Sequence, residues 1–480
     1  MSAPLPSLPY VVAGQPVPAA SAPRRRVVHD VFRGTPIAEA AWADAAEVER
    51  AIAAAHGARA TMRAMPAHAR AAALEALATA LGARAEALAR TVCAEAGKPI
   101  QAARGEVTRL LETVRTAAAE AVRIDGELLA LDRSSRSTGA RGVVQRVPIG
   151  ACAFLTPFNF PLNLVAHKIA PAIAAGCPFV LRPSERTPLS ALLLGECLMD
   201  AGLPAGAWSI VPCDVADAGA LVTDARLALL SFTGGEIGWD LRARAGRKQV
   251  VLELGGNAAC IVDDDQGPAL DHVVERIVVG GYGQAGQSCI SVQHVVAHAA
   301  IYDDLRARLL ARVQALPHGD PHDETTVVGP VIDDAAAARL VRWIDDAVAA
   351  GGRRLCGGAR DGKLVQATLL EDVPATCDLA AREAFGPVVL LTRVASFDEA
   401  VARVNASAYG LQAGVFTDRL AHATRAWDQL EVGAVVIGDV PTVRIDAMPY
   451  GGVKGSGVGR EGVRAAIAAY TEPRLLLLQA

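Results

Sequence analysis

Cys289, Glu253 and Asn159 are residues whose types and settings could together carry out acyl chemistry. Cys289 ends the run Gly283-Gln284-Ala285-Gly286-Gln287-Ser288-Cys289, which follows a helical stretch at 270–279. Glycines let backbone N–H groups approach a thiol, where they favour thiolate and can hold an oxyanion, so Cys289 is a candidate nucleophile. A free cysteine is more often just a small buried hydrophobe. Glu253, in Val251-Leu252-Glu253-Leu254-Gly255-Gly256, ends an apolar strand, where desolvation should raise its pKa and suit it to general-base work; a paired structural glutamate is an equal reading. Asn159, in Thr156-Pro157-Phe158-Asn159-Phe160-Pro161, stands where a strand turns into a helix, and its amide could donate to an oxyanion or simply cap the turn. From that segment alone, capping is the better reading.

These residues need elements to hold them. From Gly150 onward, short apolar runs at 151–155, 179–181, 208–211, 227–232 and 250–252 alternate with helical segments, predicting a mostly parallel sheet with helices on both faces. Thr187-Pro188 predicts a helix start capped by the threonine, with Gly202 and Pro204 closing that helix. Before Gly150, the proline-rich first 26 residues read as loose. Asp44 with Glu47 then starts alanine-rich helical sequence to about Ile124, and a polar stretch at 132–146 reads as a hairpin or exposed linker. A second α/β pattern runs from Ile261 to about Val436, ending in a glycine-rich segment and an apolar, β-compatible tail at 469–478.

A length of 480 residues favours two or three domains, and a net charge of −4 offers no basic field for nucleic acid or an anionic membrane. Nine scattered cysteines without a CxxC pair point to reduced thiols in a cytoplasmic chain, and no apolar run is long enough for a membrane span. His318, Asp320, His322 and Asp323 flank a proline in a turn-like segment and read as a solvated loop instead of a metal site. The run Asp263-Asp264-Asp265 reads as a loop or cap. Gly457-Val458-Gly459-Arg460-Glu461-Gly462 matches GxGxxG, but it follows no βαβ strand and is not a dinucleotide site.

In order along nearly the whole chain, five segments resemble the aldehyde dehydrogenase superfamily: Pro-Phe-Asn at 157–159, Leu-Glu-Leu-Gly-Gly at 252–256, Gly-Gln-Ser-Cys at 286–289, Glu-Ala-Phe-Gly-Pro at 383–387, and Gly-Gly-Val-Lys-Gly-Ser-Gly-Val-Gly-Arg-Glu at 451–461. The resemblance implies an α/β fold with a Rossmann-like, parallel-sheet cofactor domain (1–126 and 147–252) and an α/β catalytic domain (253–466). A small β oligomerisation extension (127–146 and 467–480) would make a homodimer or homotetramer. It implies that Cys289 attacks an aldehyde, that Asn159 and the Cys289 amide hold the oxyanion, and that Glu253 activates water to hydrolyse the thioester. Lys168 and Glu461 match relay positions near that glutamate. The implied cofactor is NAD, with NADP possible. Glu185 would hold the adenosine ribose beside Arg182 and Ser184, and Glu383 and Phe385 the nicotinamide end. Thr233, Gly234 and Gly235 would meet the pyrophosphate, with Thr156, Pro157, Phe158, Phe232, Leu254 and Gly255 completing the site.

Three positions depart from the family pattern. Arg182 replaces the usual lysine and could attract a 2′-phosphate, the phosphate turn at 234–238 lacks a serine and is one residue short, and Ser288 stands where relatives that take phosphorylated aldehydes often carry arginine. Along the entry tunnel the resemblance places His167 and Arg444 beside Phe160 and Tyr450, with Arg123 at a phosphate-contacting helix position. A small aldehyde with a distal carboxylate, phosphate or phosphonate is the expected substrate, and structural ion pairs are the competing role for the arginines. The alternatives are a CoA-acylating semialdehyde dehydrogenase, which typically lacks the glutamate, and a catalytically silent relative, which has no need of the full set Asn159, Glu253 and Cys289.

Overall fold

Ala151–Leu155 is buried along its whole length and must lie between covering layers. In the computed structural model, which describes residues 5–479, it lies inside an eight-stranded sheet. The strand order is Gly457–Val458, Gln249–Glu253, Leu227–Thr233, Ala151–Leu155, Phe179–Arg182, Trp208–Ile210, Tyr10–Val12 and Gln15–Val17. The strands from Gln249–Glu253 to Trp208–Ile210 are parallel, and antiparallel strands close both edges. All five strands expected here lie within one residue of the observed ends. From Ala151–Leu155 the chain steps outward to Trp208–Ile210, then crosses back to Leu227–Thr233. That reversal opens a crevice at the carboxyl ends of Ala151–Leu155 and Leu227–Thr233.

The N-terminal segment, expected to be loose, is largely strand: Tyr10–Val12 and Gln15–Val17 form one edge of this sheet, while Arg24–His29 and Ser7–Leu8 flank Pro36–Trp42 in a separate one. Tyr10, Val11 and Val12 are buried, and that burial outweighs the prolines around them. Residues 1–4 and 480, where two of the expected domain segments begin and end, lie outside the described residues.

A second sheet has seven strands in the order Arg353–Cys356, Thr368–Glu371, Val388–Val394, His294–His298, Ala259–Val262, Gln412–Phe416 and Ala434–Ile437, parallel except for the first. The polar stretch is a hairpin of Glu127–Ala130 and Arg141–Pro148, on which the tail strand Thr471–Leu478 pairs. Before the tail, the chain returns to the first core: Gly457–Val458 joins the first sheet, and Val463, Ala466 and Ile467 bury into its core, earlier than the expected boundary at 466.

Local capping follows the sequence at one helix and departs from it at another. Asp44 accepts the Glu47 N–H at 3.0 Å and caps Ala45–Gly57 as expected. Thr187 makes no cap hydrogen bond; the buried Glu95 carboxylate accepts the N–H groups of Leu189 and Ser190, each at 2.8 Å. Glu106 does the same for Asn163–Ala175, accepting from Leu162 at 2.9 Å and Asn163 at 3.1 Å while pairing with buried Lys98. That carboxylate fixes the turn from Leu155 into the helix, the turn that carries Asn159. Glu106→Ala should therefore cost about 3–5 kcal/mol by leaving Lys98 buried without its partner, and Lys98→Met in the same chain should restore much of it. Urea unfolding of the two single variants and the double variant measures this.

Candidate active site

The crevice at the switch point meets the amino ends of the second sheet, and between them lies a cavity of about 390 Å³. Asn159 follows a strand end of the first sheet, and Thr233 and Glu253 each end a strand of it; Cys289 precedes His294–His298, and Glu383 and Phe385 precede Val388–Val394. All six line the cavity.

The turn before the cysteine is strained by design of its neighbours. Gln284, Ala285 and Gly286 all take left-handed backbone, with φ of 55°, 54° and 65°. A Cβ on Gly286 would stand 2.1 Å from the Gly386 carbonyl oxygen, so only glycine fits. Gln287 locks the loop from below, its Oε1 accepting the Ile332 N–H at 2.9 Å. Asn159 Nδ2 donates to the Gln287 carbonyl at 3.1 Å, which leaves its second N–H free to donate into the cavity. Asn159 is thus no helix cap; Glu106 fills that role.

Glu253 is buried, and neither carboxylate oxygen has a hydrogen-bond partner. Burial, reinforced by the nearby Glu461, pushes its pKa well above the usual carboxylate range. Glu461 is held oppositely: burial would raise it, but Lys168 and Arg444 outweigh burial and keep it at about 2. Lys168 Nζ donates to Glu461 Oε1 and to Ser231 Oγ, both at 2.7 Å, beneath the cavity. Cys289 Sγ lies 2.9 Å from the Tyr450 hydroxyl, and burial pushes this thiol up to about 12.

At the other side of the cavity stand Arg444, Arg109 and Phe160. Arg444 stacks on Tyr450 at 3.8 Å, reaches Glu461 only at 3.4 Å, and its Nε has no partner. Asp446 clamps Arg109 through two bonds of 3.0 and 2.7 Å. Two expectations about this side change. His167 faces Asp446, at 2.8 Å, and is not part of the cavity wall; burial, then repulsion from Arg444, lowers its pKa to about 4, so it is neutral at pH 7. Arg123 lies past the end of Ile100–Ala121, 62% exposed and paired with Glu120, away from the cavity. Arg109, on that helix, is the arginine that lines it. The sequence reading missed Arg109, Asp446 and Glu106. A signal existed for Glu106, a charge on the otherwise apolar stripe Ala103, Val107, Leu110, Val114; none existed for Asp446.

The residues expected at the dinucleotide lie on and beside the other half of the cavity. Thr156 has a buried hydroxyl without a partner at the end of Ala151–Leu155, and beside it Pro157, Phe158, Gly234, Gly235, Leu254 and Gly255 line the wall. Gly234 packs so closely on the Phe232 ring that a Cβ would come within 2.5 Å of it, while Gly235 faces open space. Phe385 sits edge-on to Phe158 with ring centres 5.7 Å apart, and Glu383 accepts the Gly256 N–H at 3.1 Å. Glu185 is half-exposed at the end of Phe179–Arg182, 3.6 Å from Arg182, next to Ser184. The Arg182 fork, read as a group that could attract a 2′-phosphate, donates twice to the Cys213 carbonyl, at 3.1 and 2.9 Å. The histidines at 318 and 322 bind the Leu316 carbonyl and Asp30, and Asp263 caps the turn Asp264–Ala269, as ordinary loop residues do.

Comparison with known proteins identifies the family and the fold. A family model described as the aldehyde dehydrogenase family matches residues 17–476. The 3-sulfolactaldehyde dehydrogenase of Priestia aryabhattai is 40% identical over 392 residues, covering 81% of this chain and 82% of that protein. Aldehyde dehydrogenase 21 from Physcomitrella patens, solved in complex with the reaction product succinate, superposes with a TM-score of 0.97 at 45% identity, covering 99% of both chains. The NADP-dependent glyceraldehyde-3-phosphate dehydrogenase of Bacillus halodurans, complexed with NADP, gives 0.93 at 33% identity, covering 98% of this chain and 99% of that one.

Proposed function

The chain belongs to the aldehyde dehydrogenase family, and on that premise we propose that it oxidises a small aldehyde bearing a distal anion to the carboxylic acid, with NAD(P) as acceptor. The observation that carries the hydrolytic part is Glu253, buried with both oxygens unpaired in the same cavity as Cys289. Cys289 attacks the aldehyde carbon, and the free N–H of Asn159 with the Cys289 amide receives the oxyanion. The nicotinamide, when bound, accepts the hydride. The thioester left on Cys289 is hydrolysed by water from which Glu253 takes the proton, and the Lys168–Glu461 pair below supplies an exit for it. An unpaired base in this position argues for water, not CoA, as the attacking group.

Thr156, Gly234, Gly235, Glu383 and Phe385 suit the dinucleotide, and the Glu185 carboxylate favours the ribose hydroxyls of NAD over a 2′-phosphate. The three relatives above are named for aldehydes or products with a sulfonate, a carboxylate and a phosphate, which supports a distal anion here. Arg444, under-paired and buried, and Arg109, oriented by Asp446, are its receptors. Leu475, Leu476, Leu477 and Leu478 are each about half exposed, which supports the hairpin sheet as a subunit contact in a homodimer or homotetramer. Nine free cysteines support a reducing, cytoplasmic setting, and no helix among the described residues is long and apolar enough to cross a membrane.

In single-turnover work Glu253→Gln should keep the first burst of reduced cofactor while steady-state turnover falls by about 10²–10⁴-fold, and Cys289→Ala should abolish both. Because the raised Glu253 must lose its proton to act, hydrolysis should go on climbing with pH above the ordinary carboxylate range; a plateau already reached within that range would remove Glu253 as the base. Arg109→Met should lower kcat/KM for a four-carbon aldehyde with a terminal carboxylate by roughly 10²-fold and change butanal little, whereas Arg123→Ala should change neither. Leu476→Asp with Leu478→Asp should shift the sedimentation mass toward a monomer.

A further inference from the structure

Tyr450 stands in the loop after Ala434–Ile437, its hydroxyl 2.9 Å from Cys289 Sγ and its ring 3.8 Å from the Arg444 guanidinium. Tyrosine and arginine are both buried. An O–H beside a sulfur can accept from the thiol or donate to the thiolate, and the two have opposite effects on a nucleophile. A cation on the face of a phenol draws electron density from the ring and strengthens its O–H as a donor. The partners of Arg444 leave it available for this: Glu461 is 3.4 Å away, Asp446 is 3.9 Å away, and Nε is unpaired.

We propose that Tyr450 is a catalytic residue whose hydroxyl donates to the Cys289 thiolate, and that Arg444, stacked on its ring, is the positioning residue that strengthens this donor. The inference rests on Cys289 being the nucleophile. Burial, with the negative charges of Cys289 and Glu253, holds the phenol protonated far above its ordinary range against the pull of Arg444, so a proton is always available to donate. Around the sulfur, burial opposes ionisation most, and Glu383 and Glu253 add to it. The Tyr450 hydrogen bond and Arg444 are the groups that favour the thiolate. The thiol proton leaves to water and Tyr450 keeps its own. As the sulfur pair forms the C–S bond, the carbonyl π pair moves onto oxygen, and the hydroxyl hydrogen bond to sulfur weakens with the loss of its charge.

The test is the pH dependence of Cys289 alkylation by iodoacetamide in the full-length protein without cofactor, read by peptide mass spectrometry. Thiolate absorbance, taken as the difference from Cys289→Ala, follows the same ionisation. Tyr450→Phe should raise the apparent thiol pKa by about one to two pH units and slow alkylation at fixed pH by about ten- to a hundred-fold. Replacing Tyr450 by 3-fluorotyrosine, nearly isosteric and a stronger donor, should move both in the opposite direction, which keeps the test open if the phenylalanine variant folds poorly. An unchanged or lowered pKa in Tyr450→Phe would mean that the thiol donates to the hydroxyl, and would overturn the proposal. Arg444→Met should raise the pKa more in the wild-type background than in Tyr450→Phe; an equal effect in both would remove Arg444 from it. Aldehyde oxidation surviving in Cys289→Ala would instead defeat the reading of Cys289 as nucleophile, leaving the alkylation comparison intact.

Discussion

A carboxylate can be buried cheaply only when another group answers its charge; around this cavity several carboxylates are answered in this way, while Glu253 has no hydrogen-bond partner at either oxygen. Glu461 is answered by Lys168, Asp446 by Arg109, and Glu106 by Lys98 and two helix N–H groups. The Lys168–Glu461 and Arg109–Asp446 pairs, and the bonds from Glu106 to Leu162 and Asn163, tie distant segments together, so these contacts form a frame. Inside that frame Glu253 sits with both oxygens unpaired at the end of a strand that hydrogen bonding to Leu227–Thr233 will not let move. Its destabilised charge is tolerable because the surroundings are fixed, and the same destabilisation makes it a base of useful strength.

The frame is possible because the two sheets meet end to end. The first offers carboxyl ends of parallel strands, where the order reverses and a crevice opens. The second offers the amino-side loops of its own parallel strands. Loops from both sheets are free of ladder bonds yet anchored at one end by a strand, so Asn159, Cys289 and Glu383 can project from irregular backbone without being mobile. The left-handed turn before Cys289 is one cost of that arrangement. It is held by Gln287 and by the close approach of Gly286 to Gly386.

Much of this was legible in the sequence where a residue's role is set by its own segment. The strands of the first sheet announced themselves as apolar runs between helices, and Asp44 as a cap with Glu47 three residues on. Glu253 at a strand end and Cys289 among glycines were singled out by their neighbours, and both line the cavity. Roles set by tertiary packing were not legible. Thr187 had the form of a cap, but Glu95, remote in sequence, took the N–H groups. Arg123 matched a position by segment resemblance, yet the helix ends at Ala121 and turns it to solvent, while Arg109, about three turns earlier, faces the cavity. Proline in the first 26 residues made them read as loose, whereas burial of Tyr10 to Val12 places that segment at an edge of the sheet.

The short stretch from 444 to 450 joins what would otherwise be separate functions. Arg444 lines the cavity, Asp446 orients Arg109 and receives His167, and Tyr450 touches the Cys289 sulfur. Because Arg444 lies on the Tyr450 ring, a group that binds the guanidinium also alters the field felt by the hydroxyl, and through it the thiolate. The loop is pinned at both ends, by the Gln412 amide donating to the Pro441 and Val443 carbonyls and by the paired backbone bonds between Tyr450 and Glu461, so these contacts cannot relax independently. Selection for a particular anion at the far end would therefore act on the nucleophile as well, and the stretch should evolve as a unit and not residue by residue.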